Sequence, residues 1–198
     1  MSKVDYKKAR HAKAAAHEDA AKRLRETYDI FLAGPFIDIE KDAAEPENTG
    51  SPAKELRYWL YGELTALGHR VYLGEDVELR TNGSKHYGRR NNAVIFERHH
   101  IVEYTDALIV LPSSVGSFCE TGDWVTSKET CSKMLMLVEK KYEGETNYIN
   151  LGPVEMARMF LGKVEYIDYA DKDRVFDECL SHIQDLAEAR RVDQLYGR

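Results

Sequence analysis

The chain has 198 residues, 43% of them hydrophobic and 31% charged, with a formal net charge of −6. That length suits one domain with a full core and an appendage, and no apolar run approaches the roughly 20 residues that span a bilayer. Net acidity argues against direct nucleic-acid binding, so a small anionic ligand would need a locally positive pocket. The N-terminus has no apolar h-region and does not read as a secretory signal. Cys119, Cys131 and Cys179 are odd in number and form no CxxC, which argues for reduced thiols in the cytoplasm rather than for disulfides or a zinc site. No cofactor and no metal is expected.

Residues 2–27 are rich in Ala, Lys, Arg and Glu and lack Gly and Pro. They predict a helical extension (1–27) ahead of an α/β domain (28–198). The apolar content of the extension is mostly Ala, which makes a weak core-facing side. It suits a solvated arm or a contact with a neighbouring subunit or a protein partner, and a homo-oligomer is expected. Tyr28–Gly34 (YDIFLAG) then reads as a buried strand ending in a Gly-Pro turn. Asp38–Ser51 is an acidic loop. Pro52–Leu67 carries Leu56, Trp59, Leu60, Leu64 and Leu67 at helical spacing, with Pro at its start and Gly68 after its end.

Arg70–Leu73 is a second strand. Gly74–Asn92 is polar and reads as a loop, leading into a helix over Asn91–Tyr104. Ala107–Leu111 is the third strand and Glu120–Cys131 a helix. Met134–Val138 is the fourth strand, followed by a charged loop, Lys140–Thr146, and a short helix, Pro153–Phe160. Val164–Asp168 is the fifth strand, and Lys172–Arg190 closes the chain as an amphipathic helix. Strands alternating with helices predict a flavodoxin-like three-layer sandwich around a five-stranded parallel sheet of order 2-1-3-4-5. The switch point between strands one and three brings AGPF and PSSVGSFCE together, with the loop after strand four expected beside them.

The stretch Asp106–Gly122 (DALIVLPSSVGSFCETG) carries most of the chemistry. Ser113, Ser114, Gly116 and Ser117 offer hydroxyls and a close backbone approach, and a following helix start favours an anion. The helix dipole would hold Glu120 ionised, as a carboxylate nucleophile requires. The competing reading of the same residues is a capping box, S-x-x-E, in which Ser117 caps the helix and Glu120 completes the motif. Asp106 reads as a turn residue at the entry to the strand. Cys119 reads as inert packing. His99 and His100 point about 100° apart on a helix and do not suit one metal. The Lys85–Arg90 cluster reads as solvated charge with the option of covering a phosphate.

IFLAGPF, TDALIVLPSSVGSFCETG and NYINLGP, in this order, resemble three landmarks of the nucleoside 2-deoxyribosyltransferases and related nucleotide N-glycosidases. The resemblance covers about Asp29 to Asp168. It implies that Glu120 attacks the anomeric carbon of a sugar and that Asn150 helps to hold the glutamate and sugar. Gly34, Pro35 and Phe36 would line the site. Ser114, six positions before the glutamate, and Gly116 would contact a 5′-phosphate. Arg98 stands where that family carries an Asp, with Glu97 beside it, and an aromatic hydroxyl common at strand one is replaced by Phe31 or Phe36. Hydrolysis therefore ranks ahead of base transfer. The leading expectation is an N-glycosidase acting on a small-molecule nucleoside or nucleotide. Two others stand beside it. SFCETG resembles part of the TIR motif and suggests an NAD-processing domain, possible in a defence effector. A non-catalytic nucleotide-sensing module would need Glu120 only as a cap.

Overall fold

The apolar runs of this chain are too short to make anything but brief strands, and being apolar throughout they demand burial on both faces. A computed structural model describes residues 12, 13 and 27–197. The expected N-terminal extension otherwise lies outside the described residues. Five strands, β1 (Asp29–Ala33), β2 (Arg70–Tyr72), β3 (Ala107–Val110), β4 (Met134–Glu139) and β5 (Lys163–Ile167), form one sheet of order β2-β1-β3-β4-β5. Every pairing is parallel. The expected α/β three-layer fold is therefore the observed one.

Alternation along the strands divides the core in two. Ile30, Leu32, Ile109, Leu135 and Leu137 face helices α1 (Pro52–Ala66) and α7 (Lys172–Leu195). Phe31, Ala33, Leu108, Val110, Met134, Met136 and Val138 face the opposite layer. That layer contains α2 (Val77–Tyr87), α3 (Ala93–Tyr104), α4 (Val115–Trp124), α5 (Lys128–Cys131) and α6 (Glu155–Met159). No helix among the described residues is long and apolar enough to cross a membrane.

Local chemistry explains the helix ends. Ser51 accepts a hydrogen bond from the Lys54 amide and caps α1, whose first residue is Pro52. Lys133 Nζ donates to the carbonyls of Ile101 (2.9 Å), Val102 (3.2 Å) and Thr105 (2.9 Å). It places a cation on the orphan carbonyls where α3 ends. Asp106 binds the Asp29 amide through Oδ2 (2.9 Å) and Arg190 through Oδ1, which fixes it as an entry residue of the sheet. The acidic loop 38–51 is held by buried Asn48, whose amide group donates to the carbonyls of Asp38, Lys41 and Asp42 while its oxygen accepts from the Asp38 amide.

Four elements differ from the sequence reading. Most of Gly74–Asn92 is not a loop but helix α2 with a 3-10 turn, Gly88–Arg90. Its few apolar side chains hide it, since Leu79 and Gly83 are its buried residues. Gly83 is a contact residue: a Cβ there would lie 2.4 Å from Phe96 Cβ and 2.6 Å from Asn91 Oδ1. The helix placed at Glu120–Cys131 begins five residues earlier, at Val115, and breaks into α4 and α5. The short helix expected from Pro153 is preceded by a π-helical turn, Asn150–Val154, with Pro153 inside it. The last helix continues past Arg190 to Leu195.

Gly83→Ala should destabilise the protein by about 1–3 kcal/mol despite alanine's better helix propensity, because α2 and α3 must separate. Gly62→Ala in α1, where a Cβ meets nothing within 4 Å, should stabilise it by about 0.5–1 kcal/mol. Equilibrium denaturant unfolding of the pair measures both signs.

Candidate active site

The C-terminal ends of β1 and β3 are adjacent, with Ala33 opposite Val110. In an open parallel sheet this is the switch point, where the chains leaving two strands diverge and open a crevice. A cavity of about 590 Å³ lies there, within the range of small-molecule sites. Gly34, Pro35 and Phe36 line it after β1, Gly74 and Glu75 after β2, and Ser114, Gly116, Ser117 and Glu120 after β3. Lys54 and Arg57 reach it from α1, Arg80 from α2 and Glu97 from α3. The loop after β4 does not join them, contrary to the sequence expectation. It packs on the other side of α4, where Tyr142, Asn147, Tyr148 and Ile149 line a second cavity with Phe118 and Cys119. Cys119 is exposed there, so it is not the packing residue its neighbours suggested.

The start of α4 is built by two serines. Ser114 is the N-cap, and its Oγ accepts from the Ser117 amide (3.2 Å). Ser117 Oγ in turn accepts from the amides of Ser113 (3.0 Å) and Ser114 (2.9 Å). The capping box is thus Ser114 with Ser117, one turn before the Ser117–Glu120 pair that the sequence suggested. Ser117 is buried and its hydroxyl is spent on the backbone. Ser113 is outside the cavity lining, and its hydroxyl turns to the Leu111 carbonyl (3.4 Å). Of the expected phosphate ligands, Ser114 and Gly116 remain at the cavity wall. Val115 and Gly116 are the first helical positions, whose amides have no intrahelical acceptor.

Glu120 is the sixth residue of α4, beyond the turn over which a helix dipole acts. The dipole therefore does not depress its pKa. Burial raises it above the ordinary carboxylate value, opposed by Arg57 and reinforced by Glu75. The cap reading of Glu120 is also removed, since it bonds no backbone amide of the first turn and Ser117 occupies that role.

Arg57 is the residue the sequence concealed. It looked like one polar position in an amphipathic helix, yet it is 1% exposed. Its five N–H groups are all engaged: Nε and Nη2 on the Leu32 carbonyl (3.2 and 2.8 Å), Nη1 on the Pro35 carbonyl (2.7 Å), and both Nη atoms on the Glu75 carboxylate (2.5 and 2.9 Å). Glu75 Oε1 also accepts from the Ile37 amide (3.2 Å). A Cβ on Gly34 would lie 3.0 Å from Arg57 Cδ, so this glycine lets the β1 turn close over the guanidinium.

Glu97 is the second residue not marked as functional in the sequence. It is 4% exposed, lines the cavity, and its Oε2 has no hydrogen-bond partner. Its pKa is pushed up to about 8 by burial first, then by Glu120 and Glu75, with Arg57 opposing. Arg98 beside it turns away and pairs with Asp123 (3.1 Å). Helix α3 faces position 97 inward and position 98 outward, and two adjacent charged residues give no sign in the sequence of which one does so.

Asn150 is not among the residues lining the cavity that Glu120 lines. Its amide nitrogen donates to the carbonyls of Tyr142 (2.6 Å) and Glu145 (2.7 Å), and its oxygen accepts from the Tyr166 hydroxyl (2.7 Å). These bonds clamp the loop after β4 to β5, a structural task that corrects the positioning role expected of it. Phe36 is 55% exposed at the cavity, whereas Phe31 is buried beneath it. The Lys85–Arg90 cluster lies outside the cavity, and Arg80 is the cation that α2 contributes. Among the described residues, no group of three or more His, Cys, Asp or Glu side chains is placed to hold a metal.

Comparison with known proteins relates the chain to retron proteins. A family model described as STM3845 retron effector protein matches residues 53–195, a span that contains Arg57, Glu75, Glu97 and Glu120. A protein of Escherichia coli named "Retron Ec86 putative ribosyltransferase/DNA-binding protein" is 23% identical over 124 residues. That alignment takes in 56% of this chain and 40% of the relative, so less than half of the relative's length is represented.

A carboxyl that folding leaves protonated makes stability fall as pH rises, because between 4.5 and about 8 the native state binds the proton that the unfolded state has lost. Glu97→Gln, neutral at every pH, should flatten the decline in melting temperature across that window and raise it at the alkaline end. Thermal melts from pH 5 to pH 9 (roughly the window in which the linkage operates) check this, and parallel curves for the two proteins would refute it. Arg57→Met should cost about 3–5 kcal/mol in denaturant unfolding, because it strands Glu75 and two carbonyls.

Proposed function

Since the chain belongs to the STM3845 retron effector protein family, we propose that it is an effector enzyme cleaving the N-glycosidic bond of a nucleotide, with Glu120 as the attacking carboxylate. The observation that carries this reading is the position of Glu120. It stands mid-helix in the switch-point cavity, free of capping duty, beside a second carboxyl and within the field of a buried arginine. A displacement at C1′ requires an ionised carboxylate in a poorly hydrated site. Burial supplies the second condition, and the Arg57 charge favours the first.

The remaining lining suits a nucleotide. Ser114, with the first-turn amides of α4, can take a 5′-phosphate, and Lys54 and Arg80 bring positive charge to a chain whose net charge is −6. Phe36 offers an exposed aromatic face to a base. The E. coli relative is named as a putative ribosyltransferase/DNA-binding protein, and glycosyl transfer is the wider class to which this chemistry belongs. The likeness of AGPF and of Ser114–Glu120 to motifs of the nucleoside 2-deoxyribosyltransferases supports the same chemistry. Water is the proposed acceptor. A sensing module loses its main support, because Ser117 performs the capping that would have explained Glu120 otherwise.

Chromatography of nucleosides, nucleoside monophosphates and NAD incubated with the full chain tests the reading. Wild type should release free base or nicotinamide, and Glu120→Gln should lower the rate about 10³-fold or more. Release that persists in Glu120→Gln, or none from any substrate with wild type, would sink the assignment. Lys54→Ala and Arg80→Ala should each weaken monophosphates about tenfold, roughly 1.4 kcal/mol, while sparing unphosphorylated nucleosides. Equal losses on both substrate types would remove these cations from phosphate binding.

A further inference from the structure

We propose that Glu97 is the proton donor to the leaving base, held for that purpose in a slot that only glycine at position 74 leaves open. The inference rests on the reading of Glu120 as nucleophile and adds the acid that this reading lacks. Three observations carry it. Glu97 is 4% exposed, yet Oε2 has no partner and the side chain lines the cavity that Glu120 lines. A buried carboxyl without a hydrogen bond costs stability and gives the fold nothing back, which marks it as a group kept for a ligand. A Cβ at Gly74 would fall 2.6 Å from Glu97 Oε1, so any side chain at 74 would displace this carboxyl from its place. The salt bridge from Arg98 to Asp123 pins the adjacent turn of α3 and leaves Glu97 as the α3 side chain on the cavity wall.

The electrostatics agree with the geometry. Two carboxylates lining one cavity cannot both ionise freely, and the deeper one retains its proton. Burial and the charges of Glu120 and Glu75 raise Glu97 to about 8, so at neutral pH it is a carboxylic acid and can donate.

In the first step, a Glu120 oxygen forms a bond to C1′ as the C1′–N bond breaks. The electron pair of that bond passes to the base, and the Glu97 proton goes to a ring nitrogen of the base. In the second step, the Glu97 carboxylate takes a proton from water while the water oxygen attacks C1′. The C1′–O bond to Glu120 breaks, and its electron pair returns to the carboxylate. One water is consumed, free base and a sugar hydroxyl are formed, and both carboxyls are reset.

Leaving-group chemistry tests this. Adenosine 5′-monophosphate and nicotinamide mononucleotide share a ribose 5-phosphate. Adenine leaves as an anion unless it is protonated, whereas a pyridinium leaves as neutral nicotinamide without an acid. Single-turnover base release isolates the first step. Glu97→Gln, a neutral isostere of the protonated side chain, should lose about 10²-fold or more on the adenine nucleotide and less than about fivefold on the nicotinamide nucleotide. Wild-type release of adenine should fall as pH rises through about 8, and that limb should vanish in Glu97→Gln. Gly74→Ala, which displaces the carboxyl without altering it, should show the same selectivity and guards against a folding defect in the first variant.

Equal losses on both nucleotides, no loss of adenine release, or a wild type that cleaves only the nicotinamide nucleotide would each overturn the role of Glu97. If wild type cleaves only the adenine nucleotide, the pH limb decides, and its persistence in Glu97→Gln refutes the proposal. Failure of wild type on both, or full activity of Glu120→Gln, would overturn the nucleophile instead.

Discussion

The Arg57–Glu75 latch organises everything at the outer edge of this sheet. A guanidinium buried in the core is costly unless every donor is satisfied and its charge is met. Here three segments meet that demand together: the end of β1 through Leu32 and Pro35, the turn after β2 through Glu75, and α1 through the arginine itself. Gly34 is part of the same device, because a side chain there would press on the arginine stem. The latch therefore ties the loops after β1 and β2 together at one wall of the cavity. It also places a fixed positive charge inside a cavity that holds carboxylates.

That charge is what makes a pair of carboxyls in one cavity workable. Glu120 and Glu97 are both pushed toward the neutral form by burial, and Arg57 opposes the push on each. The outcome differs because Glu97 is almost wholly enclosed, while Glu120 stands at the wall beside the opening of α4. Unequal solvation of two like groups is a general route to one acid and one base at the same pH. The backbone supplies the inequality: Gly74 admits Glu97 to its slot, and the Ser114–Ser117 cap starts α4 early enough to carry Glu120 past the helix end.

Much of the architecture was legible because strand burial in a parallel sheet leaves a strong mark. IFLA, ALIV and MLMLV are short runs without polar relief, and the observed strands differ from the expected ones by about a residue at each end. Where the mark is weak, reading failed. Helix α2 carries little apolar surface of its own and packs through a glycine, so its composition resembles a loop. Ser114 and Ser117 of PSSVGS look alike on paper. Which of them caps α4 depended on where the backbone turns after β3, and the difference of one turn decided whether Glu120 was a cap or a cavity residue. Asn150 sat in a suggestive motif, yet its amide was claimed by two carbonyls and a tyrosine hydroxyl brought in from β5.

The amino-acid sequence by itself determined the strands, their parallel order and the place of the cavity, because apolar periodicity and connection length are local properties that the chain carries openly. It also marked Glu120, Ser114, Gly116 and the AGPF turn as one neighbourhood. Only the tertiary structure decided which side chains share that cavity. Arg57 and Glu97 come from helices whose surfaces look merely polar in sequence, and Glu75 and Gly74 come from the turn after a three-residue strand. Their roles arise from burial, from the loss of water around like charges and from close backbone approach. None of these exists until residues distant in the chain are packed together.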